Sequence, residues 1–250
     1  MILTPLVFAM LVFAAFVAGV VDAVAGGGGL LTVPAILAAG LPPHLALGTN
    51  KGQSVFGSAA SLLTFARRGA VTLELSRLTF PLGLLGSLLG ALLVLTIAPE
   101  ALRPIVLVLL PCAALTLLWP RRESKGHTPA RYRTIAGALA LLIGAYDGFF
   151  GPGTGTFLVI GFATLLHQPL LQATANAKVV NFASNLAAVA MFGAQGKILW
   201  TVALPMALAQ MAGGFLGAHL AVRGGERVIR GVVLAVVAAL VIKLSLDLFR

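Results

Sequence analysis

Apolar residues come in ten runs separated by short polar or glycine-rich breaks, five in each half of the chain. The runs cover about 3–22, 29–41, 44–66, 75–98 and 103–120, then 134–148, 155–167, 169–193, 198–221 and 228–249. Most approach or reach the roughly 17–25 residues that carry a helix across a bilayer. The second run of each half, 29–41 or 155–167, falls short at about 13 residues. Each follows a glycine-rich break, and the first contains Pro34. Broken segments persist at membrane depth only when they are buried in protein or line a cavity. The pattern predicts an all-α polytopic membrane protein with a short, glycine-broken helix in each half. If those short helices re-enter instead of spanning, the ten crossings become eight.

The two halves also share a motif. G-V-V-D-A-V-A-G-G-G-G runs from Gly19 to Gly29, and G-A-Y-D-G-F-F-G-P-G-T from Gly144 to Thr154. At an offset of 125, Asp22 meets Asp147, Gly26 meets Gly151 and Gly28 meets Gly153. The likeness continues at an offset of 127. A-L-G-T-N-K ending at Lys51 meets A-T-A-N-A-K ending at Lys178, and Arg68-Gly69-Ala70-Val71 meets Gln195-Gly196-Lys197-Ile198. Likewise G-S-L-L-G-A-L-L from Gly86 meets G-G-F-L-G-A-H-L from Gly213. The predicted organisation is a first transmembrane repeat at 1–120, a basic linker at 121–133 and a second repeat at 134–250. A duplicated apolar chain with charges inside it is the signature of a secondary transporter.

Composition fits a lipid environment. Of 250 residues 59% are hydrophobic and 10% charged, with a mean hydropathy of +1.04, where soluble domains carry about 25% charged residues. The net charge of +10 is spread over short loops without interleaved aromatics, so nucleic acid is not an expected partner. Cys112 is alone, so no disulfide framework or cysteine metal site is expected. The first run ends near small residues as a cleaved signal does. It lacks a positive n-region and leads into the internal motif, so it is read as retained.

The linker's Arg121, Arg122, Lys125, Arg131 and Arg133 should face the cytoplasm. Counting crossings from there puts the N-terminus outside, the Arg67–Arg77 and Arg223–Arg230 loops inside, and the C-terminus outside. Only Arg103, Lys197, Lys243 and Arg250 then fall outside. Basic Arg67-Arg68 corresponds to Ala194-Gln195, and the lightly charged turn at 99–103 to the basic turn at 223–230. That exchange of charge is what an inverted repeat predicts.

Four charged residues lie deep in apolar sequence: Asp22, Lys51, Asp147 and Lys178. An ionised group at the bilayer centre costs about 2.5–3.5 kcal/mol on the insertion scale, which argues for function. The alternative for each lysine is snorkelling from a nearby helix start. Lys51, Ser54, Ser58 and Ser61 share one helical face, as do Thr174, Lys178, Asn181 and Asn185. Such stripes face a bundle interior or a wet cavity, although Ser58, Ser61 and Asn185 also suit interhelical hydrogen bonding.

The glycine runs Gly26–Gly29 and Gly151–Gly155 serve either close packing or helix unwinding. Unwinding leaves a half-helix N-terminus with free N–H groups, which suits an anion. A nucleotide P-loop is excluded because no Gly-Lys-Ser or Gly-Lys-Thr follows either run. His44, His127, His167 and His219 show no ligand spacing, and no metal or cofactor is expected. Trp119 and Trp200 sit at segment ends, as interfacial aromatics do. No H-E-x-x-H or G-x-S-x-G marks a hydrolase, so no enzyme activity is expected.

The D-A-V-A-G-G-G-G-L-L-T-V-P stretch, the T-N-K helix, the R-R-G loop and the degenerate second copy resemble the TauE/SafE family of membrane transporters. The resemblance spans nearly the whole chain. It implies a permease, usually an exporter, for small sulfur-containing anions such as sulfite or organosulfonates, in the cytoplasmic membrane of a bacterium. Its alternatives are a carrier of another small carboxylate or anionic metabolite, or a membrane assembly factor without a substrate.

The residues expected to bind substrate are Lys51, Lys178, Gly27, Gly28, Gly29, Asn50, Ser54, Gly153, Thr154 and Asn181. Replacing either lysine by alanine is expected to abolish anion binding and leave folding intact. Asp22 and Asp147 are expected to pair with a lysine, to brace the unwound backbone, or to carry a coupling proton, since leaving water favours a neutral carboxyl. The lipid bilayer and a small anion are the expected partners, and a homo-oligomer is left open.

Overall fold

Several helix boundaries have a local chemical cause. Helix α1 spans Pro5–Ala25. The Thr4 side chain accepts from the Val7 amide, Pro5 occupies the first turn, and Gly26 in the left-handed conformation ends the helix. Helix α2, Gly29–Ala38, follows after a three-residue break. Helix α3, Pro43–Arg67, starts behind Pro42, and α4 covers Leu73–Leu95. The second half repeats this series with α5 at Pro129–Phe149, α6 at Thr154–Leu165 and α7 at Leu170–Ala194. Last comes α8, Trp200–Leu248, whose backbone leaves the helix at Gly225 (φ 56°, ψ −148°).

The computed structural model describes residues 4–98, 100–101 and 129–248, and among these every regular element is helical. The expected segment at 103–120, Cys112, Trp119 and His127 lie outside the described residues. Helix α5 begins at Pro129, so residues 129–133, read from the sequence as linker, are already helical.

The packing of the two halves matches element by element. α1 lies along α8 and α4 along α5; α3 touches α8, and α7 touches α4. The repeated Gly-x-x-x-Gly pairs explain the first two contacts. A Cβ added to Gly213 would sit 2.1 Å from the Phe16 carbonyl oxygen, and one added to Gly86 would sit 2.1 Å from that of Leu141. Gly217 and Gly90 approach Val20 and Ala145 in the same way. Small residues let helix backbones meet where lipid offers no hydrophobic drive for association.

The distribution of polarity is inverted relative to a soluble protein. Leu6, Met10 and Phe13 of α1, Leu85, Leu89 and Leu92 of α4, and Leu204 and Leu208 of α8 form exposed stripes at helical spacing. Lys51, Lys178, Gln53, Asn176, Ser87 and Ser184 are buried. Four helices among the described residues are long and apolar enough to cross a membrane: α1, α4, α7 and the Trp200–Gly225 part of α8. Helix α3 has 25 residues, yet its composition alone does not qualify it. Most of its polar positions are turned into the bundle and away from lipid.

Candidate functional site

The two chain breaks meet at the centre of the bundle. Gly26 and Gly155 cross so closely that a Cβ on Gly26 would lie 2.1 Å from the Gly155 carbonyl carbon. The Thr156 hydroxyl donates to the Ala25 carbonyl at 2.8 Å, tying α6 to the end of α1. The Tyr146 hydroxyl braces the second break by donating to the Pro152 carbonyl at 2.6 Å. Gly151 has a φ of 98°, and a side chain there would sit 2.8 Å from Lys51 Nζ. Glycine at this position therefore serves backbone conformation and makes room for the lysine.

Around this crossing lie two buried ion pairs, each joining one half of the chain to the other. Lys51 Nζ stands 2.7 Å from Asp147 Oδ1, and Lys178 Nζ 2.8 Å from Asp22 Oδ2. Lys51 is 2% exposed and Lys178 0%, so neither snorkels. Removing one member of a buried pair leaves an uncompensated charge, at a cost of about 3–5 kcal/mol. On that ground an alanine at either lysine is expected to lower stability as well as to remove the charge.

A small polar cavity of about 20 Å³ opens between the pairs, enough for one or two waters. Of the residues singled out from sequence, Lys51, Asn50, Ser54, Asn181, Gly29, Asp22 and Asp147 line it. Lys178 stands behind Asp22, and Gly27, Gly28, Gly153 and Thr154 are not part of the lining. Thr154 spends its hydroxyl on the Gly151 carbonyl at 2.7 Å. Sequence reasoning did not place Gly26, Gly151, Gly155 or Asn185 at the site, though all four line it. Their signal was present: three belong to the glycine runs, and Asn185 belongs to the polar stripe of Lys178.

Gly29 opens α2 and Gly155 lies in the first turn of α6. Both half-helix N-termini therefore abut the cavity, bringing their positive dipole ends to a site that holds Lys51. The stripe on α3 divides by depth. Ser54 reaches the cavity, whereas Ser58 donates to Val55 O, and Ser61 to Gly57 O with a longer contact to Gly214 O. Thr174 on α7 likewise bonds its own helix, at Leu170 O. No group of three or more His, Cys, Asp or Glu able to hold a metal occurs among the described residues.

A glycine-broken helical bundle with paired charges at its centre defines an integral membrane protein built around a polar cavity. The chain belongs to the family described as Sulfite exporter TauE/SafE, which matches residues 11–244. It is 41% identical to a "Probable membrane transporter protein ORF9" of Sinorhizobium sp, over 96% of this chain and 92% of the relative. It is 38% identical to "Probable membrane transporter protein YfcA" of Escherichia coli strain K12, over 98% and 91%. A "Probable membrane transporter protein" of Haemophilus influenzae is also 38% identical, over 96% and 94%. No solved structure matches the chain.

Proposed function

We propose that this membrane transporter carries small oxyanions, with sulfite and organosulfonates as the first candidates, outward across the cytoplasmic membrane. One observation carries the reading: the central cavity is lined at once by a buried lysine, amide side chains and the starts of two half-helices. Lys51 supplies the charge, Asn50, Ser54 and Asn181 supply hydrogen bonds, and Lys178 adds charge from behind Asp22. A cavity of about 20 Å³ has to widen before an oxyanion fits, so loading is coupled to a movement of the helices around the crossing.

The two lysines and two aspartates of the site cancel in charge. An entering anion leaves an uncompensated negative charge in a dry interior, which is costly. Uptake of a proton by one aspartate removes that cost. Asp22 is the better placed, since its side chain is 11% exposed against 2% for Asp147. On this reading both aspartates hold their lysines in register, and Asp22 also couples transport to protons. Transport in proteoliposomes with and without a pH gradient tests it. Full gradient-driven transport by Asp22→Asn would remove the proton role.

The architecture that goes with this function is two inverted repeats of five segments. Under that topology a cysteine at position 195 is labelled by a membrane-impermeant reagent from outside and one at position 68 is not; the opposite pattern refutes it. Ligand-dependent thermal stabilisation of the purified protein tests the substrate. At a concentration one hundred times its Kd, a ligand adds about 2.7 kcal/mol. Screening sulfite, thiosulfate, sulfoacetate, taurine and sulfate beside small carboxylates separates the sulfur anions from the carboxylate alternative. Absence of stabilisation by any of them favours an assembly factor.

A further inference from the structure

The first half of the chain holds an amide network that the second half lacks. Asn50 Oδ1 accepts the Thr32 hydroxyl at 2.6 Å and Gln53 Nε2 at 3.1 Å. Thr32, Asn50 and Gln53 are all buried. The residues matching Asn50 and Gln53 at the offset of 127 are Ala177 and Val180, which can make no such bonds. The network is therefore not a by-product of the duplicated fold.

The network fixes which way the Asn50 amide points. The Thr32 hydroxyl lies 3.2 Å from the Gly28 carbonyl and 2.6 Å from the Asn50 amide. The shorter separation is ordinary for O–H···O and short for N–H···O, so the hydroxyl hydrogen goes to Asn50 and the atom facing Thr32 is oxygen. Gln53 agrees. As it stands, its Oε1 is the buried atom without a partner. Turning both amides round would strand an N–H₂ group instead, and buried N–H groups are left unpaired more rarely than carbonyls. With both bonds made at oxygen, Asn50 Nδ2 donates to no protein group among the described residues. The only fully buried side-chain atoms without partners there are Gln53 Oε1 and Gln210 Oε1, so Asn50 Nδ2 keeps access to the cavity its residue lines.

We propose that Thr32 and Gln53 are positioning residues that hold Asn50 as a fixed hydrogen-bond donor, making this side of the cavity selective for anions that only accept hydrogen bonds. The ligand class is a fully deprotonated oxyanion group such as a sulfonate, seated toward α3 and away from the pseudo-symmetric centre. The proposal rests on the reading of the cavity as an anion site. A ligand that turns a donor toward this fixed donor leaves one of the two groups unmatched, so a ligand O–H has to be turned away from α3, which restricts how it can sit.

The test compares two anions of the same shape and charge. Methanesulfonate carries three acceptor oxygens; methylphosphonate, at a pH where it is a monoanion, carries one O–H among them. Binding to the purified full-length protein is measured for both. The wild type should bind the sulfonate about tenfold more tightly, the scale of one unmatched buried hydrogen-bonding group. Thr32→Val and Gln53→Leu should each bring the ratio down severalfold, because a released amide can turn its carbonyl to the phosphonate O–H. Thr32→Ser, which keeps the hydroxyl, should preserve the ratio. A merely structural role would weaken both anions alike and leave the ratio where it was. Equal binding of the two anions by the wild type, or an unchanged ratio in both Thr32→Val and Gln53→Leu, overturns the proposal and leaves the anion site standing. Binding of neither anion by the wild type removes the anion site and the proposal with it.

Discussion

The two buried ion pairs occupy matching positions in the repeats, yet they are built differently. Asp147 takes the Ser184 hydroxyl as well as Lys51, and both members of that pair are 2% exposed. The residue matching Ser184 is Gly57, so Asp22 has no such hydroxyl, and its side chain is 11% exposed. In the first pair both members line the cavity, the carboxylate anchored by Ser184. In the second the lysine is withdrawn and the carboxylate stands forward. Two matching copies of one device thus differ in how firmly the carboxylate is held and in which members of the pair face the cavity.

The largest expected effect comes from breaking one pair. Lys178→Ala or Asp147→Asn should destabilise the protein in detergent by about 3–5 kcal/mol, read by thermal or denaturant unfolding. The double variants Lys178→Met with Asp22→Leu, and Lys51→Met with Asp147→Leu, should regain most of that stability. If the single variants unfold like the wild type, neither pair is buried in the way described.

Next comes the crossing of the breaks. Gly155→Ala should cost about 1–3 kcal/mol or more by overpacking, because its Cβ would lie 2.5 Å from Gly26 Cα. Gly161→Ala meets only Leu139 side-chain atoms, the nearest at 3.1 Å, and should cost clearly less in the same unfolding experiment.

A smaller effect separates the two ends of the bundle. At the α3–α4 loop the Thr72 amide donates to Asn176 Oδ1, and the Thr72 hydroxyl accepts from Gln172 and Asn176. Asn176 and Gln168 extend this chain to Tyr132. At the matching α7–α8 loop the Leu199 amide donates to Thr49 Oγ1. Thr49 matches Asn176, and Leu199 matches Thr72. Asn176→Ala strands several groups and should cost about 1–3 kcal/mol, against about 0.5–1.5 for Thr49→Ala. Hydrogen exchange at the Thr72 and Leu199 amides should rise in the respective variants, and more at Thr72. Equal responses would mean that the two ends are latched alike.

The smallest effect tests the ion-pair comparison directly. Ser184→Ala removes the extra hydroxyl from Asp147 and should lower stability by about 1 kcal/mol. Gly57→Ser is no route to the reverse change, since a Cβ there would meet the Gln210 side chain at 2.6 Å.

Much of this arrangement can be read from the chain. The offsets of 125 and 127 identify the two copies, the broken second segments appear as α2 and α6, and the four intramembrane charges fall at the centre. Sequence does not show which lysine meets which aspartate. Asp22 and Lys51 are near in sequence, but the crossing of Gly26 with Gly155 carries each lysine to the other half's carboxylate. Depth along a stripe is hidden too. Ser54, Ser58 and Ser61 share a face, and only the position of the cavity separates a lining residue from one bonded to its own helix. Gln53 and Gln210 were overlooked although each is an amide in an apolar helix, a signal visible in the sequence alone.

The exchange of partners across the crossing also bears on how such a chain is inherited. Each half alone carries one unanswered cation and one unanswered anion, so neither half is a self-sufficient unit. Two identical half-length polypeptides would answer each other completely, the lysine of one copy meeting the aspartate of the other. A short ancestral gene could thus encode both pairs of charges at once. In a single fused chain the two copies are free to differ, provided that no substitution leaves a charge without its counterpart.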